Sequence, residues 1–182
     1  MIDVKKYLIG LVLISLILVG VIVINNITKK NSLVKAGLAN LKITELIERL
    51  EDNDFTGEVK SSITDQEVKI LIEDYEYKFD LPEDMLYISF APYTSLTHEC
   101  YTHSLTGCQG EMVNKEVYVI IYDEEGNVLS EGFKNTGEDG FIGLFLDSNE
   151  IYRISVSANS LSNEFVVEGR LDQTCFTEVE LT

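Results

Sequence analysis

The stretch THECYTHSLTGC, residues 97–108, holds both histidines of the chain, His98 and His103, and two of its three cysteines, Cys100 and Cys108. Thiolate is a soft donor and imidazole a borderline one, so this mixture suits Cu(I) and Zn(II); Ca(II) and Mg(II) need oxygen donors that the cluster mostly lacks. The same cysteines also offer disulfide chemistry. Extended backbone would turn His98 and Cys100 to one side, a turn of helix would bring Cys100 and His103 onto one face, and a bend at Gly107 would fold Cys108 back. The spacings do not choose between these chemistries: C-x7-C is not a CxxC redox pair, and neither it nor H-x4-H is a common zinc-ligand spacing. Cys175, in DQTCFTEVEL, lies 67 residues beyond Cys108, so only the fold can bring it near. Three cysteines in an exported chain leave one over, and a disulfide with a free thiol stands level with a metal site.

Other nearby residues carry weaker signals. Tyr93, Tyr101 and Met112 read as packing side chains. Glu99 and Glu111 read as solvated surface, with orientation of a histidine as the functional alternative. Ser104 beside His103 has no G-x-S-x-G context and no third member of a triad, so it gives no hydrolase signal.

The cluster sits in a stretch of about twenty residues without periodicity, a length that in a compact domain marks a functional or a disordered loop. Its composition argues against disorder. On either side the period is two. EVKILIED from Glu67, EYKFDL and MLYISFAPY precede it; EVYVIIYD, VLSEGFKN, GFIGLFL, YRISVSA, EFVVEG and FTEVEL follow. Glu124-Glu125-Gly126-Asn127 reads as a hairpin turn. Gly132, Gly137, Gly140 and Gly143 read as turn and packing glycines, and no glycine-rich loop opens a helix after a strand to cradle phosphate. Six or more short strands about ten residues apart predict a mainly β fold, an antiparallel β-sandwich with the cadence of transthyretin-like and immunoglobulin-like domains. That cadence bears on fold and not on function.

Ahead of the strands, Leu38, Leu41, Leu46, Ile47 and Leu50 recur at helical spacing, with Thr44 as an N-cap, and predict a short amphipathic segment. It either packs on the domain or serves as a partner or homodimer helix. Further upstream, Tyr7 to Ile24 carries no charge over 18 residues, which as a helix spans roughly 27 Å, nearly a hydrocarbon core. No A-x-A-like cleavage site and no cysteine for lipid attachment follow the run, so it reads as an uncleaved membrane anchor. Lys5 and Lys6 before it nearly balance Lys29, Lys30 and Lys35 after it, and its place at the start of the chain sets the N-terminus inside. The expected organisation is an anchor over 1–30, a helical segment over 31–65 and a β-rich metal-binding domain over 66–182. The net charge of −17 divides into +4 over residues 1–35 and −21 over the rest. So acidic a domain does not suit nucleic acid, whose phosphates call for Lys and Arg; it suits solubility and the approach of cations.

The run LYISFAPYTSLTHECYTHSLTGCQGEMVNKEVYV closely resembles the core motif of the CueP family of bacterial extracytoplasmic copper-binding proteins, approximately aromatic-x-S-x-APY-x3-TH-x-C-x2-HSLT-x-C-x-GE. DGFIGLFL is similar to the family's NGF-x-G-aromatic-x-L strand, and DQTCFTEVEL to its C-terminal DPTC-x-T block. Together these run from about Leu86 to Thr182. The resemblance implies copper as the ion bound, copper resistance, reduction of Cu(II) to Cu(I), and transfer to an exported superoxide dismutase as recipient. Carried onto this sequence, the site residues are Cys100, Cys108 and Cys175, with His98 and His103 as auxiliary ligands or as groups that lower a neighbouring thiol pKa when protonated. Two thiolates can each give one electron, close a disulfide and leave Cu(I). That makes the protein primarily a metal binder, with thiol-dependent cupric reduction as an enzyme-like activity the resemblance implies. Two departures stand out: the membrane anchor, which suggests tethering at a cell membrane, and Gln173 where the family usually has Pro. The alternatives are a disulfide-stapled ectodomain without metal, in which Cys100 or Cys108 bridges to Cys175, and a zinc-binding protein.

Overall fold

The computed structural model describes residues 4–169 and 172–182. Helix α1 (Val4–Lys35) is apolar all round and packs on almost nothing: from Leu11 to Ile24 its large side chains are half or more exposed. It is long and apolar enough to cross a bilayer. The side chains of Lys5 and Lys6, on which the orientation reading draws, lie outside the described residues. Among the described residues of α1, the C-terminal end is what docks on the domain. Ser32 and Ala36 are buried there, and the Tyr77 hydroxyl meets both Ser32 Oγ and the Lys29 carbonyl.

The amphipathic segment folds as α2 (Ile43–Glu51). Lys42, with no side-chain capping bond, holds the cap position, so Thr44 lies inside the helix and is not its N-cap. Leu46, Ile47 and Leu50 close on a three-stranded antiparallel sheet of β1 (Val59–Ile63), β2 (Glu67–Ile72) and β3 (Tyr75–Asp80). The helix therefore packs on its own domain. β1 lies ahead of Glu67, where alternation first becomes legible. Its Val59, Ser61 and Ile63 are buried and Lys60 is exposed, but the serine pair Ser61-Ser62 hides the pattern.

The remaining strands form the predicted sandwich. One sheet has the order β10-β4-β7 and the other β6-β5-β8-β9. The strands are β4 (Met85–Tyr93), β5 (Glu116–Tyr122), β6 (Val128–Asn135), β7 (Ile142–Asp147), β8 (Ile151–Ala158), β9 (Leu161–Glu168) and β10 (Cys175–Glu180). Leu86, Ile88, Phe90, Val117, Val119, Ile154 and Val156 fill the space between the sheets. Pairing is antiparallel except for β10, which runs parallel to β4.

β4 explains why its sequence reads as one apolar run, because both of its faces are covered. Leu86, Ile88 and Phe90 face the sandwich core. The alternate residues Tyr87, Ser89 and Ala91 look the other way, toward α2, β1 and the cysteine loop. On β10, Cys175 is registered with Ser89 and Phe176 with Phe90, and a register shift follows before Val179 pairs with Pro92. That irregularity lets Cys175 face the loop while Val179, of the same parity, fills the sandwich core.

Candidate metal centre

The loop after β4 is stitched down at both ends and in the middle. At its start the Glu111 carboxylate accepts the backbone N–H groups of Thr94, Ser95 and Leu96 and the Thr94 hydroxyl. The backbone donors from Leu96, Ser95 and Thr94 lower the Glu111 pKa to about 2. Glu111 thus orients the loop and not a histidine. Further on, Thr97 Oγ1 donates to the Thr177 carbonyl at 2.5 Å, and the N–H groups of Thr174 and Cys175 both donate to the Tyr101 carbonyl. This lays the Cys100 segment along the start of β10. There is no helical turn between Cys100 and His103, contrary to one of the expected geometries; pairing with residues 174–177 takes its place.

The second half of the loop is held by the first sheet. Ile63 N–H donates to the His103 carbonyl at 2.9 Å, His103 N–H donates to Thr174 Oγ1, and Thr174 Oγ1 donates to the Ile63 carbonyl. Ser104 Oγ bonds the Ser61 carbonyl, and Thr106 Oγ1 accepts the Ser61 N–H. The N–H groups of Gly107 and Cys108 return to the Ser104 carbonyl, which is the anticipated bend that folds Cys108 back. Gly110 and Gly140 then meet backbone to backbone: a Cβ on Gly140 would sit 2.8 Å from the Gly110 oxygen, and Gly140 has φ +81°. Both features demand glycine.

These constraints converge on one cluster. Cys100 and Cys175 form a disulfide, with Cα atoms 5.5 Å apart. Cys108 remains a free, partly buried thiol, its Sγ 3.6 Å from Cys100 Sγ and 3.3 Å from the donating Ser104 N–H. Potential donor atoms of His98, Cys100 and Cys108 lie within 4.8 Å of one another, as do those of His103, Cys108 and Cys175. All five residues singled out in the sequence therefore meet, and Cys108 belongs to both groups. His98 is exposed and faces the edge of Phe141, whose ring also lies 4.9 Å from that of His103.

His103 is fully buried. Its Nε2 is 2.9 Å from Glu51 Oε1, and its Nδ1 has no hydrogen-bond partner. Burial pulls the His103 pKa down, but interactions with Cys108 and with Glu51 outweigh it and leave the pKa raised to about 9. Glu51 Oε1 also accepts the Tyr87 hydroxyl at 2.6 Å. Asp139 lies close by, its pKa raised to about 6, first by burial and further by the charge of Glu51. Neither Glu51 nor Asp139 was singled out in the sequence. One signal was available: Glu51 follows Ile47 by four residues, which places an acid on the buried face of α2.

A β-sandwich whose loop gathers three sulfurs and two imidazoles in one partly buried cluster offers a donor set suited to a soft metal ion. Residues 42–180 match the family described as periplasmic copper-binding protein CueP, and the chain belongs to the CueP family. Its fold is similar to the crystal structure of S.CueP, with a TM-score of 0.78 and 33% identity, over 84% of this chain and 96% of that one. The Bacillus anthracis TIE protein also matches, at 13% identity and a TM-score of 0.36, over 64% of this chain and 24% of that one. No curated protein matches.

Proposed function

We propose that this chain binds copper outside the cytoplasm at Cys108, His103 and His98, with Cys100 and Cys175 as a redox pair that also offers thiolates when reduced. One observation carries the reading. Cys108 is a free sulfur shared by two donor groups and placed 3.6 Å from a sulfur of the disulfide. Membership of the copper-binding CueP family supports copper as the ion, although the same donors would also accept zinc.

Three thiols cannot both close a disulfide and leave two thiolates on the ion. The arrangement supports a division of labour. In the reduced chain, Cys100 and Cys175 each give one electron to a Cu(II) ion. Two Cu(I) ions, one Cys100–Cys175 bond and two protons result, once per reduced chain. Cys108 and an imidazole then remain to hold Cu(I). Retention at this site sequesters copper, and the onward step is transfer to an exported acceptor such as a superoxide dismutase. α1 anchors the domain in the cell membrane, consistent with its exposed apolar surface.

The test is to mix fully reduced chain with Cu(II), follow a Cu(I)-specific chromophore and count thiols. The expected result is two Cu(I) formed for two thiols lost, with Cys108 the cysteine still alkylated once copper is stripped. Unchanged thiols with no Cu(I) signal overturn it. The Cys100–Cys175 bridge is also what a metal-free, disulfide-stapled ectodomain would have. That second reading predicts no copper uptake after mild reduction.

A further inference from the structure

We infer that Glu51, on α2, is a positioning residue of the copper centre: it keeps a proton on His103 Nε2, so that Nδ1, which gives up its own proton when copper binds, is the nitrogen presented to the sulfurs. The inference rests on the copper reading of the site.

The geometry leaves His103 little freedom. Its ring is fully buried against Phe141, and its backbone is pinned by Ile63 and Thr174. Nε2 is 2.9 Å from Glu51 Oε1, and a carboxylate oxygen accepts, so the proton of that contact belongs to Nε2. A ring nitrogen of His103 lies in the group with Cys108 and Cys175; with Nε2 engaged, the nitrogen left for sulfur-bound metal is the unpartnered Nδ1. Metal-ligating histidines commonly donate their other N–H to a carboxylate, which sets ring orientation and raises ligand basicity.

Glu51 is itself held in place. The Tyr87 hydroxyl donates to the same Oε1 at 2.6 Å, and burial raises the Tyr87 pKa, which keeps that hydroxyl a donor. Tyr87 in turn needs Gly143 on β7, where a Cβ would lie 2.0 Å from the tyrosine oxygen. A continuous chain of contacts thus runs Gly143, Tyr87, Glu51, His103, Cys108. It makes the N-terminal helix and sheet part of the centre, with Glu51 also lying within 4.8 Å of donor atoms of His103 and Asp139, and it gives Gly143 a role beyond packing.

The experiment measures Cu(I) affinity by chelator competition on the full chain in detergent with the Cys100–Cys175 bridge intact. It compares wild type, E51A, E51Q, H103Q and the E51A/H103Q double variant. Near-UV circular dichroism reports folding, and E51M replaces E51A should the alanine variant not fold. The expected result is a loss of about 10- to 100-fold for E51A, no further loss when E51A is added to H103Q, and recovery of most of the affinity in E51Q. The glutamine keeps a carbonyl oxygen where the His103 and Tyr87 donors converge. E51A binding as tightly as wild type, or weakening H103Q as much as it weakens wild type, overturns the inference. Tighter binding by E51A does the same. Wild type that takes up no Cu(I) sinks the copper reading itself and this inference with it.

Discussion

Opening the Cys100–Cys175 bond should destabilise the domain strongly, because the bond closes a long loop. The two cysteines are 75 residues apart. For a loop of that length the chain-entropy description gives about 4 kcal/mol of stabilisation, through restriction of the unfolded ensemble. In a domain of this size each kcal/mol moves the melting temperature by about 2–4 °C, so reduction should lower it by roughly 8–16 °C. Under the proposed electron transfer the consequence is functional as well as structural: the reduced form is the less stable one, and its reaction with Cu(II) should restore the staple. The assay is thermal unfolding of the full chain in detergent, followed by near-UV circular dichroism. It is run oxidised, phosphine-reduced, and reduced then treated with Cu(II), with the bridge checked by mass mapping in each sample. Melting temperatures of oxidised and reduced protein within about 2 °C of each other would refute the loop-closure argument. Failure of Cu(II) to restore the higher value would refute the electron-donor role of this pair.

Cys108→Ser should leave the bridge and the melting temperature nearly unchanged, since the serine oxygen can still accept the Ser104 N–H, while lowering Cu(I) affinity by more than tenfold; chelator competition checks it. Gly140→Ala places a Cβ against the Gly110 backbone at φ +81°. Left-handed strain and overlap should together cost about 3 kcal/mol, read by denaturant unfolding. Glu111, lowered to about 2 from 4.5, contributes stability that is complete above pH 4.5 and lost as the pH falls toward 2. Glu111→Gln should remove that segment of the acid unfolding profile and speed hydrogen exchange at Thr94, Ser95 and Leu96.

Much of the sandwich was legible because strands between a core and solvent alternate with period two, and Val117, Val119 and Ile121 or Tyr152, Ile154 and Val156 do so plainly. β1 was not, because Ser61 sits where an apolar residue would have marked its buried face. The capping position of α2 was misplaced because Lys42 holds it by backbone conformation alone, without a side-chain signal. At the site, residue chemistry pointed to His98, Cys100, His103 and Cys108, and family resemblance supplied Cys175. Spacing could not have supplied it, since Cys175 reaches the loop through a parallel pairing with β4 and a register shift that turns the strand over. Glu51 stayed hidden among Glu45, Glu48 and Asp52. Only its place on the buried face of α2 separates it from those neighbours, and its partner His103 comes from 52 residues away.

The central claim, that copper is held by the free Cys108 sulfur together with imidazole beside an intact disulfide, is tested most directly by X-ray absorption at the copper edge. The sample is Cu(I)-loaded protein in which mass mapping confirms the Cys100–Cys175 bond. The account predicts one shell containing both sulfur and nitrogen, with the sulfur contribution abolished in Cys108→Ser. A shell of nitrogen and oxygen alone, or sulfur scattering that persists unchanged in Cys108→Ser, would contradict it.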